Sequence, residues 1–278
     1  MKQERKKAGI LMISAAAVLT AAQLTVLGAK GGIGPLGFLK KDKTPEHPGN
    51  GPKYDFDTIV PMRNSPLKGK NICILGSSVA FGSASQQSAV GEYLSARLGA
   101  RLTKETVSGT TLADVTKNSY VRRIKKLDRN AKFDLLICQL STNDATWRLP
   151  IGKIHPSRDL KDFDTAKVTG AMEYIIRYAQ LTWDCPVVFF TGSWYDSPRY
   201  GAMVKQLRAL AEKWGIGVLN LYENPDFNRI SEEKRQLYMN DPIHPTKAGY
   251  RDWWGPELEA QLLNFLKDKG EENEKAGI

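Results

Sequence analysis

Short apolar runs alternate with longer amphipathic segments along most of the chain. Five runs have the length and composition of β-strands, at 71–76, 102–107, 134–140, 186–192 and 216–221. Apolar residues recur at helical spacing in the intervening and following segments, at 88–98, 112–127, 165–183, 200–214 and 246–267. Strands that alternate with helices are typical of a parallel sheet covered on both faces. The pattern therefore predicts an α/β fold, a three-layer α/β/α sandwich with a five-stranded parallel sheet.

The two ends of the chain lack this alternation. Basic residues at the amino terminus precede a mostly apolar stretch at 8–29, which is typical of a signal peptide or a single-pass membrane anchor. The Gly/Pro/Lys-rich segment 30–69 has the composition of a linker, and 269–278 that of a disordered tail. The sequence thus predicts one folded domain at 70–268, outside the cytoplasmic membrane, either secreted or anchored through residues 8–29.

Charge is spread unevenly over the chain. The formal net charge is +10, but residues 1–70 hold 12 Lys and Arg against 5 Asp and Glu, so most of the excess precedes the predicted domain. A nucleic-acid-binding protein would carry a basic surface on its folded domain, so no nucleic-acid partner is expected. Cys73, Cys138 and Cys185 lie inside apolar runs without metal-ligand spacing, which favours buried thiols over a metal site or a disulfide.

Polar residues of the types used in catalysis follow several of the predicted strands. The first run ends in GSS at 76–78, and SG at 108–109 and STND at 141–144 follow the second and third runs. The stretch NDPIHPTKAGY, before the last helix, contains Asp241 and His244. Ligands of such sheets bind beyond the carboxyl ends of the strands, so these residues are expected to share one edge. Each stretch alone also fits an ordinary turn or helix cap.

In this order, the four stretches resemble the motif blocks of the SGNH hydrolases, also called the GDSL esterase/lipase family. The resemblance covers about residues 70–267. It implies the flavodoxin-like SGNH hydrolase fold for the domain at 70–268 and a serine ester hydrolase activity without a cofactor. The site residues that it implies are Ser78, Asp241 and His244 for catalysis, and Ser78, Gly109 and Asn143 for the oxyanion hole.

Two positions depart from the family pattern. Ser77 replaces the usual Asp of Gly-Asp-Ser, and Ser141 replaces the usual Gly of Gly-x-Asn-Asp. In the family mechanism neither position carries a proton or binds the substrate, so the implied catalysis stands. The departures place the chain outside the best-marked branch of the family and weaken any inference about the substrate.

The chemistry of these residues can also be argued without the resemblance. A serine hydroxyl needs a neighbouring base, and His244 is the good candidate, because the other two histidines lie in the linker and a polar loop. Asp241, three residues earlier, can hold the imidazole ring and stabilise its protonated form. The backbone N–H groups of Ser78 and Gly109, with the side-chain amide of Asn143, would then bind the oxyanion.

The substrate is less well defined by the sequence. Three aromatic residues follow predicted strands and are candidates for a substrate-binding surface: Trp147, Trp194 and Tyr195. Aromatic residues at strand ends also pack against the rim of the domain without binding a substrate. No long apolar lid segment is visible. This favours small acyl esters, such as O-acetyl groups of cell-envelope or extracellular carbohydrate, over the alternative of a lipase or lysophospholipase-type acylhydrolase.

Two readings from other functional classes stay open. Asp241 and His244 could be metal ligands of a metal-dependent hydrolase, but the sequence offers no cluster of further ligands beside them. The domain could also be a non-catalytic glycan-binding module on the same fold, since a fold does not fix a function. The presence of every residue that the mechanism requires argues against that module, and no metal is expected.

Overall fold

A computed structural model describes residues 47–276; residues 1–46, which include the predicted signal or anchor, and residues 277–278 lie outside the described residues. In the described part the strands are β1 (Asn71–Gly76), β2 (Arg101–Thr106), β3 (Leu135–Gln139), β4 (Val187–Phe190) and β5 (Gly217–Leu219). They form one parallel sheet in the order β2-β1-β3-β4-β5. This is the flavodoxin-like strand order, so the fold prediction is confirmed.

Helices connect the strands. The α-helices in chain order are α1 (Ser78–Phe81), α2 (Val90–Leu98), α3 (Tyr120–Ile124), α4 (Thr142–Thr146), α5 (Val168–Trp183), α6 (Pro198–Trp214), α7 (Pro225–Asn228), α8 (Glu232–Tyr238), α9 (Lys247–Gly249) and α10 (Gly255–Ala276). A π-helical turn at Tyr250–Trp254 joins α9 to α10. Short 3-10 helices lie at Pro48–Asn50, Pro52–Tyr54, Phe56–Thr58 and Leu160–Asp162.

The sheet has a hydrophobic core on each face, because successive strand side chains point to opposite sides. Ile72 and Ile74 of β1 belong to the core that α2 and α10 cover. Cys73 and Leu75, which alternate with them, belong to the core that α3, α5 and α6 cover. All four side chains are fully buried. A strand buried on both faces explains the continuous apolar run of its sequence.

Of the predicted helix 112–127, only α3 (Tyr120–Ile124) is helical. The backbone N–H groups of Leu112 and Ala113 donate to the carboxylate of Asp144, at 2.7 and 2.9 Å, instead of entering a helix. Ser119 then caps α3 by accepting a hydrogen bond from the N–H of Arg122 at 3.2 Å. The helical prediction is wrong before residue 119, because a side chain from a distant part of the chain outweighs local propensity.

The C-terminal helix extends beyond its predicted end at 267. It continues through α10 to Ala276, so the predicted disordered tail at 269–278 is corrected as far as residue 276. This segment is rich in Glu and Lys, which favour helix. Lys269 and Glu272, one turn apart, form an ion pair of 2.7 Å that stabilises the exposed last turns.

The segment 47–69 packs on the domain, which corrects the predicted linker 30–69 over these residues. Tyr54 and Leu67 are buried. The side chain of Asn50 donates to the carbonyl of Ala84 and accepts from the backbone N–H of Lys247, both at 2.9 Å. The Pro/Gly-rich composition here forms 3-10 turns that bury a few side chains, a pattern that composition alone does not separate from a linker.

The three cysteines are free and buried, as the sequence predicts. Burial raises the pKa of Cys73 to about 12 and that of Cys185 to about 11, so these thiols stay protonated and act as small apolar side chains. Within residues 47–276, none of the helices combines the length and the apolar character needed to span a bilayer. The stretch 8–29 lies outside the described residues.

Candidate active site

β1 ends in a sharp turn that leads into α1 and holds two serines. Gly76 is required there, because a Cβ would lie 2.3 Å from the Cβ of Ala80 and 2.9 Å from Oε1 of Gln139. That same Oε1, at the end of β3, accepts from the backbone N–H groups of Ser77 and Ala80, both at 2.9 Å. Ser77 is fully buried, whereas Ser78 is 9% exposed. Of the two serines, Ser78 is therefore the one that a substrate can reach.

His244 lies between Ser78 and Asp241. Its Nε2 is 2.8 Å from Oγ of Ser78, and its Nδ1 is 2.8 and 3.0 Å from the two carboxylate oxygens of Asp241. The carboxylate favours the ring tautomer in which Nδ1 carries the proton and donates it, which leaves Nε2 free to accept the hydrogen of the Ser78 hydroxyl. The structure thus brings the three predicted catalytic side chains into one hydrogen-bonded row, and their catalytic roles stay predictions.

A short loop, residues 240–246 (the triad loop), holds the carboxylate and the ring. Oδ1 of Asp241 also accepts from the backbone N–H groups of Ile243 and His244, at 2.8 and 2.9 Å. Burial acts to raise the pKa of Asp241, but the His244 ring and these two N–H groups outweigh burial and hold the pKa below its ordinary value. The carboxyl is therefore ionised wherever His244 could act as a base.

The predicted oxyanion residues lie on the same side of the sheet. Residues 107–113, here the oxyanion loop, follow β2, and Gly109 has φ +75°, a left-handed conformation that glycine adopts readily. Asn143, in the first turn of α4, donates its side-chain amide to the carbonyl of Thr110 at 2.8 Å. The N–H of Ser78 is at the first position of α1, where no intrahelical acceptor exists. The three candidate donors therefore belong to elements that meet at one edge.

A sequence profile of the GDSL-like lipase/acylhydrolase family matches residues 74–251, well over half of the chain. The chain belongs to this family. The match spans the GSS turn, the oxyanion loop, the STND stretch and the triad loop. A comparison with curated protein sequences found no match.

Several solved structures share the fold. A protein from Bacteroides ovatus, described as a GDSL-like lipase, is 17% identical with a TM-score of 0.54, over 72% of this chain and 99% of that one. A Desulfitobacterium hafniense protein, described as a lipolytic protein of the G-D-S-L family, is 14% identical with a TM-score of 0.53, over 69% and 99%. A Lactobacillus plantarum protein is 18% identical with a TM-score of 0.58, over 72% and 98%. At such identities the likeness shows the fold.

Sequence reasoning missed the residues that support this GDSL-family site. Gln139 accepts a hydrogen bond from the backbone N–H of Ser77, in the turn before Ser78, and buried Asp144 accepts the N–H groups of Leu112 and Ala113 in the oxyanion loop. Asp144 belongs to the STND stretch, so its position next to Asn143 is a usable signal. Gln139 and the buried Arg123 lie inside a strand and a short helix, and nothing in their local sequence distinguishes them.

The candidate aromatic residues differ in what they expose. Trp194, after β4, is 53% exposed. Tyr195 packs inward against the rings of Tyr200 and Tyr222, with centroids 5.2 and 6.0 Å away. Trp147 is half-buried at the end of α4, one turn after the candidate oxyanion residue, and its backbone N–H donates to the carbonyl of Asn143 at 2.8 Å. Substrate-binding roles for Trp147, Trp194 and Tyr195 stay predictions.

The side chains of Asp241, His244 and Ser78 contact one another. Among residues 47–276, no group of three or more His, Cys, Asp or Glu side chains is placed to hold a metal ion. Asp241 and His244 instead contact each other through a carboxylate and a ring nitrogen, and His244 contacts Ser78 through its second nitrogen. Both ring nitrogens of His244 thus have protein partners.

Proposed function

We propose that this chain is a serine ester hydrolase that cleaves small acyl esters through an acyl-enzyme intermediate. The observation that carries the proposal is the hydrogen-bonded row of Asp241, His244 and Ser78, at 2.8 Å for each link. Nucleophile, base and the group that orients the base are within hydrogen-bond reach, which is the arrangement that serine hydrolysis requires. Membership of the GDSL-like lipase/acylhydrolase family supports an acylhydrolase activity.

In the proposed first half-reaction, Oγ of Ser78 attacks the carbonyl carbon of the ester. The hydroxyl proton passes to Nε2 of His244, and the Asp241 carboxylate stabilises the resulting imidazolium. Negative charge develops on the carbonyl oxygen, where the N–H groups of Ser78 and Gly109 and the amide of Asn143 are proposed to bind it. His244 then protonates the leaving alcohol as the ester C–O bond breaks, which leaves the acyl group on Ser78.

The second half-reaction returns the enzyme to its starting state. Water replaces the alcohol, and Nε2 of His244 removes one of its protons as the water oxygen attacks the acyl carbon. The same three donors hold the second oxyanion. When the bond to Oγ of Ser78 breaks, His244 returns the proton to the serine, and the carboxylic acid leaves. No proton, electron or group is left on the protein.

Polar groups near the Ser78 turn and Gly109 support a substrate with a small acyl group and a carbohydrate alcohol. The hydroxyls of Ser83 and Ser108 lie 2.7 Å apart, and Ser108 directly precedes Gly109. The backbone N–H of Ser83 donates to the carbonyl of Ser78 at 3.0 Å, which links this pair to the nucleophile turn. Hydroxyl groups suit sugars better than long acyl chains, which need a continuous apolar surface. We therefore propose O-acetyl groups of cell-envelope or extracellular carbohydrate as the substrate class.

The proposal is tested with p-nitrophenyl esters from acetate to palmitate and, in parallel, with acetylated glycans that release acetate. We expect the highest kcat/KM for acetate or butyrate, release of acetate from at least one glycan, and a kcat about three orders of magnitude or more lower in the Ser78→Ala variant. A preference for palmitate would favour the lipase-type alternative. Glycan binding without hydrolysis of any ester would favour the non-catalytic module.

We also propose that the folded domain acts outside the cytoplasmic membrane. The proposal rests on the basic amino terminus, the apolar stretch 8–29 and the basic segment that follows. A reporter fused after residue 69 should be exposed to protease on intact cells or recovered in the medium. Recovery of the reporter in the soluble cytosol would contradict this location.

A further inference from the structure

Arg123 has a buried guanidinium group beneath the candidate oxyanion site, although it does not contact the triad. The residue is 4% exposed. Its Nη2 donates to the carbonyl of Gly76 at 2.7 Å and to Oγ1 of Thr110 at 3.2 Å, and its Nη1 donates to the carbonyl of Glu105 at 2.6 Å. One planar group thus contacts the end of β1, the end of β2 and the oxyanion loop.

Two of these contacts, to Gly76 and Thr110, connect Arg123 to the candidate oxyanion donors. Gly76 is two residues before Ser78, and Thr110 directly follows Gly109. The carbonyl of Thr110 accepts the side-chain amide of Asn143 at 2.8 Å, while Oγ1 of Thr110 donates to the carbonyl of Val107 at 2.7 Å. Arg123 thereby contacts, directly or through one further hydrogen bond, the elements that carry all three donors.

The surroundings of Arg123 indicate that its guanidinium group aligns the groups around it and contributes little to the stability of the fold. The nearby charge of opposite sign is the carboxylate of Glu105, 3.2 Å from Nη1, and that side chain is 30% exposed. A buried ion pair contributes little net stability, and an apolar side chain of similar volume often serves as well. A guanidinium group, by contrast, offers several donors in a rigid plane, so it can fix several acceptors relative to each other.

We infer that Arg123 is a positioning residue that aligns the three oxyanion donors by joining the Gly76 carbonyl, the Glu105 carbonyl and the Thr110 hydroxyl. The inference rests on the proposed ester hydrolase function. Loss of the guanidinium plane should displace the donors from the position of the developing oxyanion, while the substrate-binding surface stays in place. The effect should therefore fall on kcat rather than on KM.

The test compares the variants Arg123→Lys and Thr110→Val with a matched control. Lysine keeps the charge and loses the planar fork, and valine keeps the shape of threonine and loses its hydroxyl. The control is Arg97→Lys, because Arg97 also joins a carboxylate (Glu259, 3.0 Å) and a backbone carbonyl (Val60, 2.6 Å), but on α2. Thermal unfolding of each variant measures its stability separately from its activity.

We expect kcat for p-nitrophenyl acetate to fall about tenfold or more in Arg123→Lys and Thr110→Val, with KM within about threefold of wild type. Affinity for a boronic acid, which forms a tetrahedral adduct on the serine, should fall in parallel with kcat/KM. Because both substitutions break the hydrogen bond between Arg123 and Thr110, the loss in the double variant should be smaller than the product of the two single losses. Arg97→Lys should keep its kcat within about twofold of wild type.

Other results would overturn the inference. They are a kcat of Arg123→Lys above half of the wild-type value, effects of the two substitutions that multiply in the double variant, or an equal loss in Arg97→Lys. If Arg123→Lys does not fold, Thr110→Val decides alone, and a kcat within about twofold of wild type refutes the role. Failure of the proposed function is recognised separately, because wild type and Ser78→Ala would then have the same esterase rate.

Discussion

The triad loop and the oxyanion loop lie at the same edge of the sheet but are held in different ways. The triad loop is closed by its own residues: Asp241 accepts the N–H groups of Ile243 and His244, and the N–H of Asn240 donates to the carbonyl of His244 at 2.9 Å. The oxyanion loop is held by side chains from α3 and from the start of α4. The partners that it receives from these helices are Arg123, Asn143 and Asp144.

This difference separates two kinds of functional residue. In the triad loop, the groups proposed to move protons also form the hydrogen bonds of the loop. The four residues 241–244 therefore contain both the proposed proton-transfer groups and the contacts that hold them. In the oxyanion loop, the proposed donors depend on residues more than ten positions away along the chain. We therefore expect substitutions in the triad loop to act on the chemistry directly, and substitutions around the oxyanion loop to act through geometry.

The largest expected effect comes from the nucleophile. Ser78→Ala should lower kcat by about three orders of magnitude or more without loss of folding, because Oγ is the proposed attacking atom. Ser77→Ala is the matched control, since Ser77 is the adjacent serine and its hydroxyl faces Gln139 at 3.2 Å instead of His244. A fluorophosphonate followed by peptide mapping identifies the labelled serine. Labelling of Ser77, or a dead Ser77→Ala variant, would contradict the assignment.

Features that depend on residues close together in the sequence could be predicted from it. The apolar runs match all five strands to within two residues at each end, and the Asp-x-x-His spacing correctly predicts that Asp241 and His244 are in contact. Both signals need only neighbouring positions. The spacing also requires no knowledge of the sheet order, because a separation of three residues keeps the carboxylate close to the ring.

The remainder depends on contacts between distant segments. The carboxylate of Asp144 accepts the N–H groups of Leu112 and Ala113, so these residues do not form the predicted helix. Asn50 accepts the N–H of Lys247, so part of the predicted linker packs on the domain. Arg123 carries no local mark of its contact with Gly76, 47 positions away. Such contacts exist only after the sheet has formed, so periodicity and composition cannot indicate them.

The second largest effect is expected from the substitution that changes the orientation and tautomer of His244. Asp241→Asn should lower kcat by a large factor, smaller than that of Ser78→Ala, because the amide can donate to Nδ1 of His244 and thereby favour the ring tautomer with a proton on Nε2. That tautomer cannot accept the Ser78 proton. Activity of the wild type in EDTA is the companion measurement. Full activity in EDTA supports the triad, whereas loss that zinc restores would make Asp241 and His244 metal ligands.

A smaller loss is expected at the oxyanion side. Asn143→Ala removes a proposed oxyanion donor and the hydrogen bond to the Thr110 carbonyl, so kcat should fall about a hundredfold with a modest change in KM. Asn130→Ala, at an exposed asparagine before β3, is the control. Steady-state kinetics with p-nitrophenyl acetate separates kcat from KM. A rise in KM with unchanged kcat would mean that Asn143 binds the substrate and the transition state equally, and so is not a specific oxyanion donor.

Asp144 is expected to affect the pH dependence of stability. Burial raises the pKa of Asp144 to about 6, although hydrogen bonds from Ser141, Ala113 and Leu112 favour the ionised form. Between about pH 4 and about pH 6 the folded protein therefore keeps a proton that the unfolded chain has lost. The contribution of this group to stability is largest below about pH 4, falls as the pH rises to about 6, and is constant above.

Asp144→Asn removes this titration, so the comparison with wild type isolates it. The unfolding free energy of wild type minus that of Asp144→Asn should fall by up to about 3 kcal/mol between about pH 4 and about pH 6. Urea unfolding at half-unit pH steps measures both proteins. Asp241, whose lowered pKa has the opposite effect on stability, is present in both and cancels in the difference. A difference that rises with pH would mean that the N–H groups of Leu112 and Ala113 outweigh burial, and that the ionised carboxylate holds the oxyanion loop more tightly than the neutral acid.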